Sequence, residues 1–149
     1  LPGGAPVYVD YAHTPDALEA ALNGLRPYIS GRLILLFGCG GDRDAGKRPQ
    51  MGEIAARLAD MVFVSDDNPR YEDAASIRHE IIAACPDAIE ISGRGEAIAA
   101  AIAELRQHDL LLIAGKGHEQ GQSIAERWVP FDDGEMARSA VMAHARMPS

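Results

Sequence analysis

The chain has 149 residues, the size of one domain, and 47% of them are apolar, enough to bury a core. A formal charge of −8 argues against a nucleic-acid binder, which shows a basic face. No apolar run approaches the length that spans a membrane, and Leu-Pro-Gly-Gly at the start lacks a leader pattern, so a cytoplasmic protein with no nucleic-acid or membrane partner is expected.

Val7 to Tyr11 reads as the first strand. Thr14 caps a helix with Pro15 in its first turn and Asp16 near the positive end of the dipole. Leu18, Leu22 and Leu25 recur along it at helical spacing, and Pro27 falls near its end. Arg32 to Phe37 turns wholly apolar after its first residue, as in a parallel sheet covered on both faces. A glycine-rich loop, Gly38 to Lys47, follows it. A second helix from near Pro49 puts Met51, Ile54, Ala55 and Leu58 on one face. The third strand, Met61 to Ser65, leads into Asp67-Asn68-Pro69-Arg70. A third helix from about Ala74 to Ala84 buries Ile77 and Ile81 and stops before Pro86. Ala88 to Ser92 is a short fourth strand, and Gly95 to Gln107 a fourth helix carrying Ile98, Ala101, Ile102 and Leu105. The fifth strand, Asp109 to Ala114, ends in Gly115-Lys116-Gly117-His118-Glu119. Ser123 to Phe131 is ambiguous, with Trp128-Val129 compatible with an edge strand. Asp132 and Glu135 form a capping pair before a last helix with Met136, Ala140 and Val141. Cys39 and Cys85 form no Cys-x-x-Cys pair and read as two free thiols.

This alternation predicts an α/β domain over 1–149, a mostly parallel sheet of about six strands with helices on both faces. Right-handed crossovers place every strand-to-helix loop on one edge. Four polar or glycine-rich loops share it: Asp10 to His13, Gly38 to Arg48, Asp66 to Arg70, and Gly115 to Glu119. In open α/β sheets, ligands bind outside the carboxyl ends of the strands. Pro69 stiffens its loop. Arg70 can grip a carboxylate bidentately, and Asp67 with Asn68 can hold an ammonium or orient the arginine. The plainer alternative is a strand-to-helix turn whose polar groups serve the local backbone.

Two motifs fail in informative ways. Gly41 to Lys47 approaches a P-loop, but Arg48 stands where a magnesium-binding Ser or Thr belongs, and Asp42 and Asp44 would put carboxylates in a phosphate cradle. Gly38-x-Gly40 starts like a dinucleotide fingerprint, but Arg43 replaces its third glycine. The histidines show no metal-ligand spacing. His79, His108 and His144 read as solvated, as do Glu19, Glu53 and Glu80 on helix surfaces, whereas His13 and His118 fall on the loop-bearing edge. That edge gathers Asp10, Arg43, Asp67, Arg70, Lys116 and Glu119 but no nucleophile beside a base. Such a set suits a zwitterionic or multiply charged ligand rather than covalent catalysis.

Five motifs then stand in a recognisable order: Asp10-Tyr11-Ala12-His13-Thr14-Pro15-Asp16, Gly38 to Asp44, Gly46-Lys47-Arg48-Pro49, Asp67 to Arg70, and Gly115 to Glu119. Together they resemble the Mur ligase family, in the branch that adds the third amino acid to the peptidoglycan precursor UDP-N-acetylmuramoyl-L-alanyl-D-glutamate. The resemblance implies a Rossmann-like C-terminal domain that binds the incoming amino acid and closes over ATP. The uridine-nucleotide domain and the central domain, with its true P-loop, magnesium ligands and carbamylated lysine, would lie outside the 149 residues. It implies ATP-dependent amide synthesis through an acyl phosphate, with ATP and Mg2+ bound mainly by the central domain. By position, Arg43, Asp67, Asn68, Pro69, Arg70, Gly115 and Glu119 would hold meso-diaminopimelate, while Asp10 would reach the nucleotide ribose beside His13. The Asp-Asn-Pro-Arg form resembles the diaminopimelate adders, since that amino acid has a distal carboxylate that lysine lacks. Open alternatives are a lysine-adding Mur ligase, a folylpolyglutamate synthetase, and a stand-alone metabolite-binding module.

Overall fold

Two uninterrupted apolar runs form the centre of the sheet. β2 (Leu33–Phe37) and β5 (Leu110–Ala114) are buried at every residue, because helices cover both faces. A computed structural model describes residues 5–40, 46–67, 69, 71–115, 121–124, 127–130, 133, 136–138 and 141–142. The other strands of the sheet are β1 (Val7–Asp10), β3 (Met61–Val64) and the two-residue β4 (Ile89–Glu90). Their order is β1-β5-β2-β3-β4, parallel throughout.

That order decides where the helices go. The chain moves across the sheet in one direction from β1 to β4, then returns to insert β5 between β1 and β2. Right-handed crossovers put helices of opposite travel on opposite faces. α1 (Pro15–Leu25), α2 (Lys47–Leu58) and α3 (Ala74–Ile82) share one core through Leu18, Leu22, Met51, Ala55, Ile77 and Ile81. They meet Leu33, Leu35 and Phe37 of β2. α4 (Arg94–Glu104) packs Ala97, Ile98, Ala101 and Ile102 on the other face, against Ile34 and Leu36. The two-residue period of a strand makes these sets alternate.

Local chemistry matches the expected starts. Thr14 accepts the Ala17 amide at 3.2 Å with Pro15 behind it, and Asp73 caps α3 at the Ala75 amide. α2 begins at Lys47 rather than near Pro49, because the first turn lacks intrahelical N–H partners and tolerates proline. α3 and α4 end at Ile82 and Glu104, short of Ala84 and Gln107.

The expectation of about six strands is corrected to five in the main sheet among the described residues. Trp128-Val129 does lie in a strand, β7 (Arg127–Pro130), but β7 pairs antiparallel with β6 (Gly121–Ile124) as a separate ribbon. The Asp132–Glu135 cap and Ala140 lie outside the described residues. Met136 to Arg138 and Val141 to Met142 are helical, and Ala137 and Val141 join the α4 core. Among the described residues no helix is long and apolar enough to cross a membrane. Cys39 and Cys85 are buried free thiols.

The amino edge of the sheet is closed by carboxylates. Asp109 is buried and accepts the Arg32 amide at 2.7 Å, the Arg106 amide at 2.9 Å and the Arg32 guanidinium at 2.7 Å. Asp60 accepts the Leu33 amide at 2.7 Å and Arg26 at 2.8 Å. In each case burial pushes the carboxyl upward, but the donors together outweigh it and hold it below the usual range.

Candidate functional site

The carboxyl edge is built differently. The chain leaves β2 through Gly38, β3 through Ser65-Asp66-Asp67, β4 through Ser92-Gly93-Arg94 and β5 through Gly115. These exits crowd together. A side chain at Gly38 would collide with the Ser65 carbonyl and stand 3.0 Å from the Asp67 amide nitrogen. Gly115 has φ +109, a conformation open to glycine. A Cβ at Gly115 would lie 3.7 Å from an Asp67 carboxylate oxygen and 3.7 Å from the Gly38 carbonyl. The exits of β2, β3 and β5 therefore meet at one point, with the buried Asp67 among them.

Asp67 and Gly115 are thus brought together. Pro69 is buried, and its carbonyl accepts the Glu72 amide at 3.0 Å. Asp10 is exposed at the end of the neighbouring edge strand, and its carbonyl accepts the Gly115 amide at 3.2 Å. His13 is exposed, with Nδ1 3.1 Å from the Tyr11 carbonyl oxygen and its ring edge-on to Tyr11. Lys47 donates to the His13 carbonyl at 3.0 Å, joining the first and second exit loops. Arg43, Asn68, Arg70, Glu119, Lys116, His118 and His144 lie outside the described residues.

Buried arginines link the exits. Arg48 donates to Glu72 at 2.7 Å, to the Gly40 carbonyl at 3.0 Å, and to Glu80 on α3. The Glu72 pair pushes its already high pKa further up, so the cation is permanent. Glu80, expected as a solvated face, is half-exposed and paired; Glu19 likewise meets Arg57 at 2.6 Å. Arg78 bridges Asp66 and Glu90. Burial raises the Asp66 carboxyl and the Arg78 pair only partly offsets it. Arg94 reaches the Asp66 carbonyl at 3.3 Å, the Ala114 carbonyl at 3.0 Å and Asp133 at 2.7 Å.

Sequence reasoning passed over Arg94, Asp133 and the structural use of Arg48. One signal was available. The crossover rule that placed four loops on this edge also places Ser92-Gly93-Arg94 there. Asp133 sits beside Asp132, the expected cap, and its partner is 39 residues away.

The chemistry of the described edge is that of holding charge. Cys39 lies in it, but burial pushes its thiol up to about 12, so it is no nucleophile at neutral pH. No group of three or more His, Cys, Asp or Glu able to hold a metal occurs among the described residues. The exposed Asp10 carboxylate suits the hydroxyls of a sugar, whereas magnesium finds no ready ligand set in the described part.

Comparison with known proteins shows the family. Residues 2–117 match the family described as Mur ligase, glutamate ligase domain. The chain is 59% identical over 138 residues to UDP-N-acetylmuramoyl-L-alanyl-D-glutamate–2,6-diaminopimelate ligase of Agrobacterium fabrum, covering 93% of this chain and 28% of that protein. The ligase of the same name from Zymomonas mobilis is 59% identical over 143 residues, with 93% and 29% covered. A solved structure of a ligase of that name superposes with TM-score 0.89 at 41% identity, over 95% of this chain and 30% of the other. The chain spans less than a third of the length of these relatives.

Proposed function

The chain belongs to the Mur ligase family, glutamate ligase domain, and on that premise we propose that it is the amino-acid-binding domain of an ATP-dependent ligase that adds meso-diaminopimelate to UDP-N-acetylmuramoyl-L-alanyl-D-glutamate. The observation that carries the reading is the meeting of Gly38, Asp67 and Gly115 on one edge. Three of the five motif loops start at that point. The high identity to proteins named for this reaction supports the choice of substrate.

In this reading the acyl phosphate forms on the acceptor's glutamate side-chain carboxylate, outside the 149 residues. ATP supplies the phosphoryl group. This chain's residues then position the attacking amine. Asp67 and Asn68 hold the proximal amino group, which attacks as the free amine once its ammonium proton has passed to solvent, and Gly115 lets the ligand approach the backbone closely. Arg70 and Arg43 take the distal carboxylate, and Glu119 the distal ammonium. Asp10 accepts hydroxyls of the ATP ribose, with His13 beside the nucleotide. Magnesium would be held mainly by the rest of the full-length protein. Positioning and charge stabilisation of this kind need no covalent intermediate on the chain.

The test is steady-state kinetics on the full-length protein with ATP, magnesium, the dipeptide acceptor, and either diaminopimelate or lysine. Diaminopimelate is expected to be the better substrate. Arg70→Ala should collapse the preference, because a site built for a carboxylate rejects the analogue lacking it by roughly 10⁴-fold. An unchanged diaminopimelate-to-lysine ratio of kcat/KM in Arg70→Ala would make Arg70 a turn residue and remove this assignment.

A further inference from the structure

Arg94 is the first residue of α4, where a cation faces the positive end of the helix dipole. Its side chain is nevertheless completely buried, as is that of Asp133. Nε and Nη2 form a fork at 2.7 Å with the two Asp133 oxygens. Nη2 also donates to the Ala114 carbonyl at 3.0 Å, and Nη1 to the Asp66 carbonyl at 3.3 Å. Neutralising Arg94 needs only Asp133; the two carbonyls are an additional use of the plane.

Those carbonyls immediately precede Asp67 and Gly115. They belong to the exits of β3 and β5, which are not neighbours in the sheet, since β2 lies between them. Ladder hydrogen bonds therefore set the spacing of the two exits only indirectly. One rigid guanidinium spans the gap, from the Asp66 carbonyl to the Ala114 carbonyl. We propose that Arg94 is a positioning residue for the ligand edge. It sets the distance between Asp67 and Gly115, and through Asp133 it makes the C-terminal part of the chain a member of the same frame. The proposal rests on the reading of this edge as the amino-acid site.

Two variants of the full-length protein test it. Arg94→Lys keeps a charge opposite Asp133 but loses the planar fork whose separate nitrogens reach the two carbonyls. Arg94→Met combined with Asp133→Leu removes both contacts while replacing a buried pair by apolar groups, a change that is often neutral for stability. Both should raise KM for diaminopimelate about tenfold or more, since small misplacements are costly, and leave KM for ATP within about twofold. Amide hydrogen exchange at Asp67 and Gly115, measured without substrate, should accelerate in the same variants, while that in α1 stays unchanged.

If both KM values move together or not at all, or if only thermal stability falls, Arg94 is merely structural and the proposal fails. Unchanged exchange at Asp67 and Gly115 overturns it as well. Faster exchange in a protein that never uses diaminopimelate would instead leave the frame standing and sink the functional reading it serves.

Discussion

The two edges of the sheet use aspartate in opposite ways. At the amino edge, Asp60 and Asp109 accept backbone amides that open strand β2 or precede β5, and their carboxyls are held below the usual range. At the carboxyl edge, Asp66 is raised by burial, with Arg78 offsetting only part of it. The amino-edge carboxylates close the fold by satisfying orphan N–H groups. The carboxyl edge is tied by Arg48, Arg78 and Arg94, which run from loop to loop. One edge is organised for stability, the other for the spacing of its exits.

The largest effect that separates them is expected at Asp109. Asp109→Ala strips the partner from the Arg32 guanidinium and from the Arg32 and Arg106 amides. Breaking a buried pair on one side costs about 3–5 kcal/mol, or a Tm fall of roughly 10 °C for a domain of this size. The proposed preference for diaminopimelate over lysine, read in the full-length protein, should survive. A loss of less than about 1 kcal/mol in urea unfolding would show that the amino edge is not held this way.

Gly38→Ala strikes the other edge. Its methyl group meets the Ser65 carbonyl, so the exits of β2 and β3 must separate. Overpacking of this kind costs about 1–3 kcal/mol. Unlike Asp109→Ala, it should also raise KM for diaminopimelate. Kinetics and thermal melts on one preparation check both; a variant with the parent's KM would detach Gly38 from the ligand edge.

Asp60→Ala is the milder version of the first change. Asp60 and Arg26 are both about two-fifths exposed, so their pair adds little beyond the Leu33 amide bond. About 1 kcal/mol is expected, read as a shift in the urea midpoint. A loss equal to that of Asp109→Ala would remove burial as the reason for the difference.

The smallest effect is a matter of sign. Asp60 has a lowered pKa in the folded chain, so its contribution is present above the ordinary value of 3.8 and is lost as pH falls through the folded pKa. Asp66 has a raised one, so the folded chain binds more protons just above 3.8, and its contribution declines as pH rises through that window. Stability gained on replacing Asp66 by Asn should therefore grow as pH rises from 3.8 through its raised folded pKa. On replacing Asp60 by Asn, the corresponding difference should become more unfavourable as pH rises through the acid range below 3.8. Unfolding curves across the acid range that slope the same way for both variants would erase the contrast.

Much of this was written locally. Thr14 before Pro15, the unbroken Leu33–Phe37 run, and the helical spacing of Ile98, Ala101 and Ile102 each specify their element from neighbouring residues. Handedness then carries the strand exits to one edge, which is why the meeting of Gly38, Asp67 and Gly115 follows from the order of the elements. Ser123 to Phe131 stays ambiguous in the sequence because Trp128-Val129 has strand chemistry wherever it pairs, and only packing assigns it to the β6–β7 ribbon.

By itself, then, the sequence determined the alternation of strands and helices, the starts of α1 and α4 to within a residue, and the loops that carry charge. These follow from periods of two and 3.6 residues and from turn chemistry, which act over a few positions. Only the tertiary structure decided which arginines are buried and what they hold. Arg48 meets Glu80 across 32 residues, Arg94 meets Asp133 across 39, and Arg32 meets Asp109 across 77. No local pattern marks such partners, because an arginine that ties two loops together and one that faces water are the same letter. The return of the chain from β4 to β5 brings the Asp66 and Ala114 carbonyls within reach of one guanidinium.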